Sequence, residues 1–231
     1  MNRLDYTKVV SGSIGGFMKT IYFISGLGST EESVQLLNTE LNKYGYEIKF
    51  LDIPGQYSNV NVKIVDEKDF IEWLKNSIPK DSIVMAFSIG ADLALKFNKE
   101  INPCELIILD GGIIGYDFEN RDLEKEIQET REIIIKNKLN MNPDTISNLM
   151  SIIADDYKDI FEVDLHSRVL FFVADSPNYA FEYKKIKIDN YYKTNRDDIT
   201  IKIVKDTTHE IYTQKPRCVA EQIAEWLNRE K

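Results

Sequence analysis

The sequence predicts an α/β fold, a doubly wound and mostly parallel sheet flanked by helices. Short apolar runs alternate with helical patterns along the chain, which is typical of this class. Most of these runs are continuous rather than alternating, as expected for parallel strands that are covered on both faces. At 231 residues, with 43% hydrophobic and 29% charged residues, the chain suits one domain with a substantial core.

The strands of this sheet are predicted from six apolar runs. They lie at 20–25, 47–52, 82–87, 105–110, 168–174 and 199–204. Ahead of the first strand, residues 1–18 include the stretch SGSIGG and are interpreted as an N-terminal extension or linker. The predicted domain therefore covers residues 19–231.

Helices are predicted between several of these strands. The first should begin at a capping box formed by Ser29 and Glu32 and should end at Gly45. Others are marked by apolar residues at helical spacing: Phe70, Trp73 and Leu74; Ala91, Leu93, Ala94 and Leu95; and Val219, Ile223, Trp226 and Leu227.

One connection is too long for a simple crossover. About 57 residues separate Asp110 from Arg168, and they carry helical patterns at 121–138 and 144–153. An insertion at this place lies over the carboxyl ends of the strands. We expect a helical lid at about 113–165 that shapes a substrate site, the alternative being a surface decoration.

Charge and composition exclude several classes of function. The net charge of −9 is unsuited to nucleic acid or an anionic membrane surface, and no apolar run reaches the ~18 residues of a membrane span. Cys104 and Cys218 make neither a disulfide framework nor a metal-ligand cluster. The first residues lack the apolar core of a signal peptide, so a cytoplasmic protein is expected.

The stretch IVMAFSIGADLAL at 83–95 indicates a nucleophile. An apolar strand becomes a helix within about two residues, around Ser88, and such a tight turn needs small residues on both sides of its tip. Ala86 and Gly90 supply them, giving a relaxed form of the Gly-x-Ser-x-Gly nucleophile elbow. Alternatively, Ser88 is only a helix cap.

A serine nucleophile requires a base and N–H donors for the oxyanion. The chain has two histidines, and His209 follows the last strand, where the order serine, acid, histidine places the base; His166 precedes a strand instead. The N–H of Ile89, directly after the serine, and that of Leu27, in the loop SGLGST, are the expected donors. This loop could instead cradle a phosphate, but it lacks the lysine of a phosphate-binding loop.

Six stretches in order resemble the α/β-hydrolase superfamily, specifically the thioesterase domains of nonribosomal peptide and polyketide synthases. They are YFISGLGS, FLDIPG, AFSIGADLAL, LIILDGG, LFFVADSP and TTHEIYTQ, and the resemblance covers roughly residues 19–229. Ala86 stands where the pattern more often has glycine. The resemblance implies an acyl thioester carried on the phosphopantetheine arm of a carrier protein, with no metal or cofactor.

Two aspartates compete for the role of the acid. In most α/β-hydrolases the acid lies in a turn after a later strand, where Asp175 comes about two residues early. The thioesterase domains often carry it one strand earlier, as at Asp110 in LIILDGG. The resemblance thus favours Asp110, with Asp175 as the alternative, in a triad with Ser88 and His209.

The sequence therefore predicts a serine hydrolase that cleaves an acyl thioester through an acyl-enzyme intermediate. Two other functions stay open. One is a carboxylesterase that uses the same triad on small soluble esters. The other is a non-catalytic, hydrolase-like binding module, which an intact set of Ser88, His209 and an acid disfavours.

Overall fold

The computed structural model describes residues 18–115, 118, 121–194 and 196–229. All six predicted strands form, and their bounds differ from the predicted ones by at most one residue. They are β1 (Lys19–Ile24), β2 (Tyr46–Leu51), β3 (Ile83–Phe87), β4 (Glu105–Leu109), β5 (Arg168–Ala174) and β6 (Ile199–Val204). The strands make one sheet in the order β2-β1-β3-β4-β5-β6, and every neighbouring pair is parallel. The predicted fold class is confirmed.

This strand order creates a crevice between β1 and β3. The chain adds β2 on one side of β1 and all later strands on the other, so the connections after β1 and β3 leave the sheet in opposite directions. In open parallel sheets, ligands bind at such a switch point, beyond the carboxyl ends of the strands. The loop after Ile24 and the turn at Ser88 therefore meet at the place where a site is expected.

Helices cover both faces of the sheet. In the described residues they are α1 (Gln35–Asn42), α2 (Glu67–Ser77), α3 (Ile89–Lys96), α4 (Asn98–Ile101), α5 (Leu123–Lys136), α6 (Pro143–Ala154), α7 (Asn178–Tyr192), α8 (Ile211–Gln214) and α9 (Pro216–Leu227). Two short 3₁₀ helices, Glu31–Val34 and Tyr57–Asn59, lie in the loops after β1 and β2.

The sheet separates two apolar cores. On one face, side chains of α1 and α9 pack on the strands, with Leu37 and Ile223 fully buried. On the other face, α2, α3, α6 and α7 pack on the opposite sides of the same strands, with Phe70 and Leu149 fully buried. Burial on both faces explains why the strands are continuous apolar runs.

The predicted capping box before α1 is wrong. Thr30 is the N-cap residue of the 3₁₀ helix, and no side chain caps it. The Ser29 side chain is buried, and its hydroxyl lies 3.4 Å from that of Tyr212, so it serves tertiary packing instead. Gly45 does end the helical region, with a φ of +84° that favours glycine.

Helix α7 was not predicted. Its sequence, NYAFEYKKIKIDNYY, has no continuous apolar stripe at helical spacing, and its inward-facing residues include a buried lysine, Lys184. A polar residue in the buried face removes the periodic signal on which such a prediction depends.

The insertion between β4 and β5 is mainly helical where it is described, through α5 and α6. Backbone hydrogen bonds tie it to the loop after β2, from Asn142 N–H to Gly55 O (2.7 Å) and from Tyr57 N–H to Asn140 O (2.9 Å). Helix α6 packs against α3, whereas of the residues of α5 only Ile134 is buried. Helix α6 is thus anchored more firmly than α5.

The proposed N-terminal extension, residues 1–18, lies outside the described residues except for Met18. Within the described part of the chain, none of the helices combines the length and the apolar character that crossing a membrane would require.

Candidate active site

Ser88 occupies a strained turn between β3 and α3. Its φ of 54° and ψ of −129° are rare for a residue with a side chain. A Cβ on Gly90 would lie 2.5 Å from the carbonyl oxygens of both Ile24 and Ser25, and Ala86 is fully buried. The end of β1 therefore leaves no room for a larger residue at Gly90, and the turn has the geometry of a nucleophile elbow.

His209 lies on the loop between β6 and α8. Its Nδ1 is 2.8 Å from Asp110 Oδ2, and its ring lies against that of Phe87, with centroids 4.6 Å apart. The imidazole is half exposed, whereas Asp110 is almost fully buried. The bond from Nδ1–H to a carboxylate leaves Nε2 as the acceptor nitrogen.

The Asp110 carboxylate has three donors around it. Oδ1 accepts from the N–H of Ala174 at 2.8 Å and from Lys184 Nζ at 2.7 Å, and Oδ2 faces His209. Burial by itself raises the pKa of Asp110, but the hydrogen bond to His209 and the charge of Lys184 outweigh it and hold the pKa below its ordinary value. Asp110 is therefore ionised at neutral pH.

Asp175, the alternative acid, has a different partner. Its Oδ1 accepts a hydrogen bond from the backbone N–H of Thr207 at 3.2 Å, two residues before His209. Asp175 thus fixes the backbone of the loop that carries the imidazole. His166 lies before β5 with a largely exposed side chain, 4.0 Å from Asp164, and is not part of this cluster.

Ser88 and His209 line the same cavity, but no hydrogen bond joins them among the described residues. Hydrogen bonds between a nucleophile and its base are often long in unliganded sites and shorten when substrate is bound.

Of the predicted oxyanion donors, Ile89 directly follows Ser88, and Leu27 follows Gly26 in the loop after β1. Among the hydrogen bonds of the described residues, none uses the N–H of either residue. A Cβ on Gly26 would lie 2.6 Å from the Phe87 ring and 3.1 Å from the Ser88 side chain, so the backbone before Leu27 runs directly over the elbow.

Gln56, which the sequence did not single out, fixes this loop. Its side chain is fully buried and donates to Ser25 Oγ at 2.8 Å and to Gly26 O at 3.2 Å, and it accepts from the N–H of Gly28 at 3.1 Å. The Gln56 amide thus supplies hydrogen-bond partners to backbone groups that have none from a helix or a sheet.

The cavity beside Ser88 has a volume of about 490 Å³, within the usual range for small-molecule sites. Most of its described lining comes from the insertion: Ile114, Phe118, Arg121, Glu126, Met150, Ile153 and Tyr157. The part of the wall that the insertion supplies is mainly apolar, apart from an ion pair in which Arg121 Nε lies 2.6 Å from Glu126 Oε1.

Asp92, one turn after Ser88 on α3, adds a carboxyl group to this wall. Oδ1 accepts from the N–H of Gly112 at 3.1 Å and lies 3.4 Å from the Tyr157 hydroxyl. Removal from bulk water raises the pKa of Asp92 to about 7, although these two hydrogen bonds and the charge of Arg121 act in the opposite direction. Asp92 was not among the residues predicted from the sequence, because a single aspartate in the first turn of a helix is typical of many helices.

No group of three or more His, Cys, Asp and Glu residues that could hold a metal ion occurs in the described part of the chain.

No family model and no curated protein matches the sequence. Solved structures do match it in fold. MGS-MChE2, an α/β-hydrolase enzyme from the metagenome of sediments of the lagoon of Mar Chica, Morocco, has a TM-score of 0.61 at 15% identity, over 92% of this chain and 91% of that one. MenH from S. aureus has a TM-score of 0.60 at 14% identity, covering 92% and 94%.

A third similar structure is the NocB thioesterase domain, in a covalent complex with a fluorophosphonate nocardicin G analogue. It has a TM-score of 0.55 at 12% identity, over 91% of this chain and 95% of that one. At these identities the likeness concerns the fold. The predicted α/β-hydrolase fold is thereby confirmed.

Proposed function

We propose that this protein is a serine hydrolase that cleaves an acyl thioester, carried on the phosphopantetheine arm of a carrier protein, through an acyl-enzyme intermediate. The observation that carries the proposal is the convergence of two features on one cavity. These are the strained elbow at Ser88 and the hydrogen-bonded pair of Asp110 and His209.

In the first half-reaction, Ser88 Oγ attacks the acyl carbonyl carbon while His209 Nε2 takes the hydroxyl proton. The negative charge moves to the carbonyl oxygen, where the N–H groups of Leu27 and Ile89 stabilise it. The carbon–sulfur bond then breaks, the proton passes from Nε2 to the sulfur, and the thiol leaves. The acyl group remains as an ester on Ser88.

In the second half-reaction, water takes the place of the thiol. His209 Nε2 accepts a proton from the water as its oxygen attacks the ester carbon, and it returns that proton to Ser88 Oγ when the ester bond breaks. The products are the free acid and the unmodified enzyme. Asp110 keeps the imidazole in the tautomer with hydrogen on Nδ1 and stabilises the imidazolium that forms in each half.

Two observations favour a thioester over other acyl donors. The six sequence stretches resemble the thioesterase domains of assembly lines, and a thioesterase domain is among the structures of similar fold.

The insertion at 113–165 acts as a lid in this proposal. It supplies most of the described cavity wall, so it sets the length and shape of the acyl group that fits. Since α6 is anchored to the loop after β2 and α5 buries little, movement of the lid should be concentrated in α5.

The proposal is tested with matched substrates, the N-acetylcysteamine thioester and the p-nitrophenyl ester of each of several acyl groups. The proposal is supported if the parent protein hydrolyses the thioesters with a much higher kcat/KM than Ser88→Ala does. It is supported further if an acyl carrier protein thioester is hydrolysed with a higher kcat/KM than the N-acetylcysteamine thioester of the same acyl group. Preference for the small esters would indicate a carboxylesterase. Binding of acyl compounds without turnover would indicate a binding module.

A further inference from the structure

A buried lysine contacts the acid of the candidate triad. Lys184 Nζ, on α7, lies 2.7 Å from Asp110 Oδ1, and the two side chains are 4% and 2% exposed. Among the described residues, Asp110 is the only hydrogen-bond partner of the Lys184 side chain. The chain Lys184–Asp110–His209 is therefore continuous, with successive contacts of 2.7 and 2.8 Å.

This pair is not needed to fill the core. Burial of a lysine is costly unless the cation is paired, and an apolar side chain of similar length would fill the same space. The mechanism proposed above also needs only one contact to Asp110, the one from His209. Because burying the Lys184 cation is costly, its presence indicates a role in how Asp110 and His209 behave.

We propose that Lys184 is a positioning residue that orients the Asp110 carboxylate and, through its charge, opposes protonation of His209. This role in catalysis rests on the proposed function, whereas its effect on His209 does not.

The orienting effect follows from the way the two oxygens are used. Lys184 and the N–H of Ala174 both hold Oδ1, at 2.7 and 2.8 Å. Rotation of the carboxylate would break both of these bonds, so Oδ2 stays directed at His209 Nδ1. The imidazole is thereby kept in one orientation although half of its surface is exposed.

The electrostatic effect follows from the sum of the charges. Without a lysine, protonation of His209 beside an ionised Asp110 forms a neutral ion pair. With Lys184 present, the pair of Lys184 and Asp110 is already neutral, so protonation adds a net positive charge. Removing the lysine charge should therefore make His209 easier to protonate.

Charged groups other than Lys184 also lie around His209. Asp92 on α3 attracts the imidazolium. Arg121 and Glu126 belong to the insertion and line the cavity as an ion pair. Asp175, after β5, holds the backbone of Thr207, and Asp206 and Glu210 belong to the same loop as His209. These groups are present in every variant compared below.

The test measures the titration midpoint of the His209 imidazole by NMR, in a His166→Gln background that leaves one histidine. In Lys184→Gln the amide can still donate to Asp110 but carries no charge. We expect the midpoint to rise by about one pH unit, since the two groups are separated only by a carboxylate and the imidazole is partly hydrated. The acid limb of the pH profile of kcat/KM should move in the same direction by the same amount.

Lys187→Gln is the matched control. Lys187 lies on the same helix, and its Nζ is 2.7 Å from Oδ2 of Asp159, another buried carboxylate. This variant loses an ion pair of the same type and leaves the contacts of Asp110 unchanged. The titration midpoint of His209 should therefore equal that of the parent. Lys184→Arg, which retains the charge, should also keep the parent midpoint.

If Lys184→Gln fails to fold, Lys184→Met takes its place, because an apolar side chain of similar length can fill the same space. It also removes the lysine charge and leaves Asp110 unchanged, so the midpoint of His209 should again rise by about one unit. An equal midpoint in the compared proteins, or an equal rise in Lys187→Gln, would overturn the proposal. The NMR readout needs no substrate, so it stands even if no acyl compound is hydrolysed.

Discussion

Replacing Asp110 by asparagine should remove most of the activity, because the surroundings dictate how the new amide must lie. Lys184 and the N–H of Ala174 both donate to the side chain of residue 110 at one oxygen. The amide oxygen must occupy that position, and its NH₂ group must then face His209 Nδ1. That nitrogen becomes an acceptor, the hydrogen moves to Nε2, and the imidazole can no longer take the proton of Ser88.

The expected loss in kcat is on the order of 10⁴-fold, the size measured when a protease acid is changed in this way. A free side chain could rotate and recover part of this loss, but two donors on one oxygen prevent the rotation here. Lys184 is also left without a counter-charge, so the free energy of unfolding should fall by about 3 kcal/mol. Urea unfolding measures this second effect separately from the rate.

Asp175→Asn is the matched control. This residue also follows a strand, but it accepts from the backbone of Thr207, a bond that an asparagine oxygen can keep. Its kcat should fall by no more than a few-fold. If Asp110→Asn retained more than about a tenth of the parent kcat, or if both variants lost activity equally, the assignment of Asp110 would be refuted.

Three further outcomes follow. Ser88→Ala should remain folded and lose on the order of 10⁴-fold or more in rate, and mass spectrometry should locate a fluorophosphonate adduct on Ser88 of the parent; labelling elsewhere contradicts the elbow. His209→Gln should abolish the rate while His166→Gln leaves it nearly unchanged, as pH–rate profiles of both variants would reveal. The raised pKa of Asp92, about 7, means that the folded protein binds the extra proton between about pH 4 and 7. Stability is therefore lost as the pH rises from about 4 to about 7, where the unfolded chain is ionised and the folded protein is not, and it changes no further above that. Asp92→Asn does not titrate, so its gain in the free energy of unfolding over the parent should be larger near pH 8 than near pH 5 by about 2 kcal/mol; equal gains at both pH values would count against this.

The strands could be predicted because each is apolar along most of its length. Burial on both faces requires continuous apolar residues, so β3 and β5 stand out in the sequence. The tight turn at Ser88 could be predicted for a related reason. Gly90 has no room for a side chain beside Ile24 and Ser25, and that restriction appears in the sequence as a small residue at a fixed spacing from Ser88.

The partners of the site residues could not be predicted in the same way. Gln56 holds the loop of Leu27 from a different part of the chain, and Lys184 reaches Asp110 from a helix that has no apolar periodicity. Both contacts join residues far apart in sequence, and neither residue type is characteristic of its role. The choice between Asp110 and Asp175 depended on the same missing information, namely which loop His209 approaches.

The insertion leaves the sheet after β4 and returns at β5, and these two strands are direct neighbours. Its removal or replacement would not change the order of the strands, and the segments that carry Ser88 and His209 lie outside it. Most of the described cavity wall is thus encoded in one uninterrupted stretch of sequence, separate from Ser88 and His209. Such an arrangement allows the shape of the cavity to diverge by exchange of a single segment, and it makes residues 113–165 the natural unit for recombination between related chains.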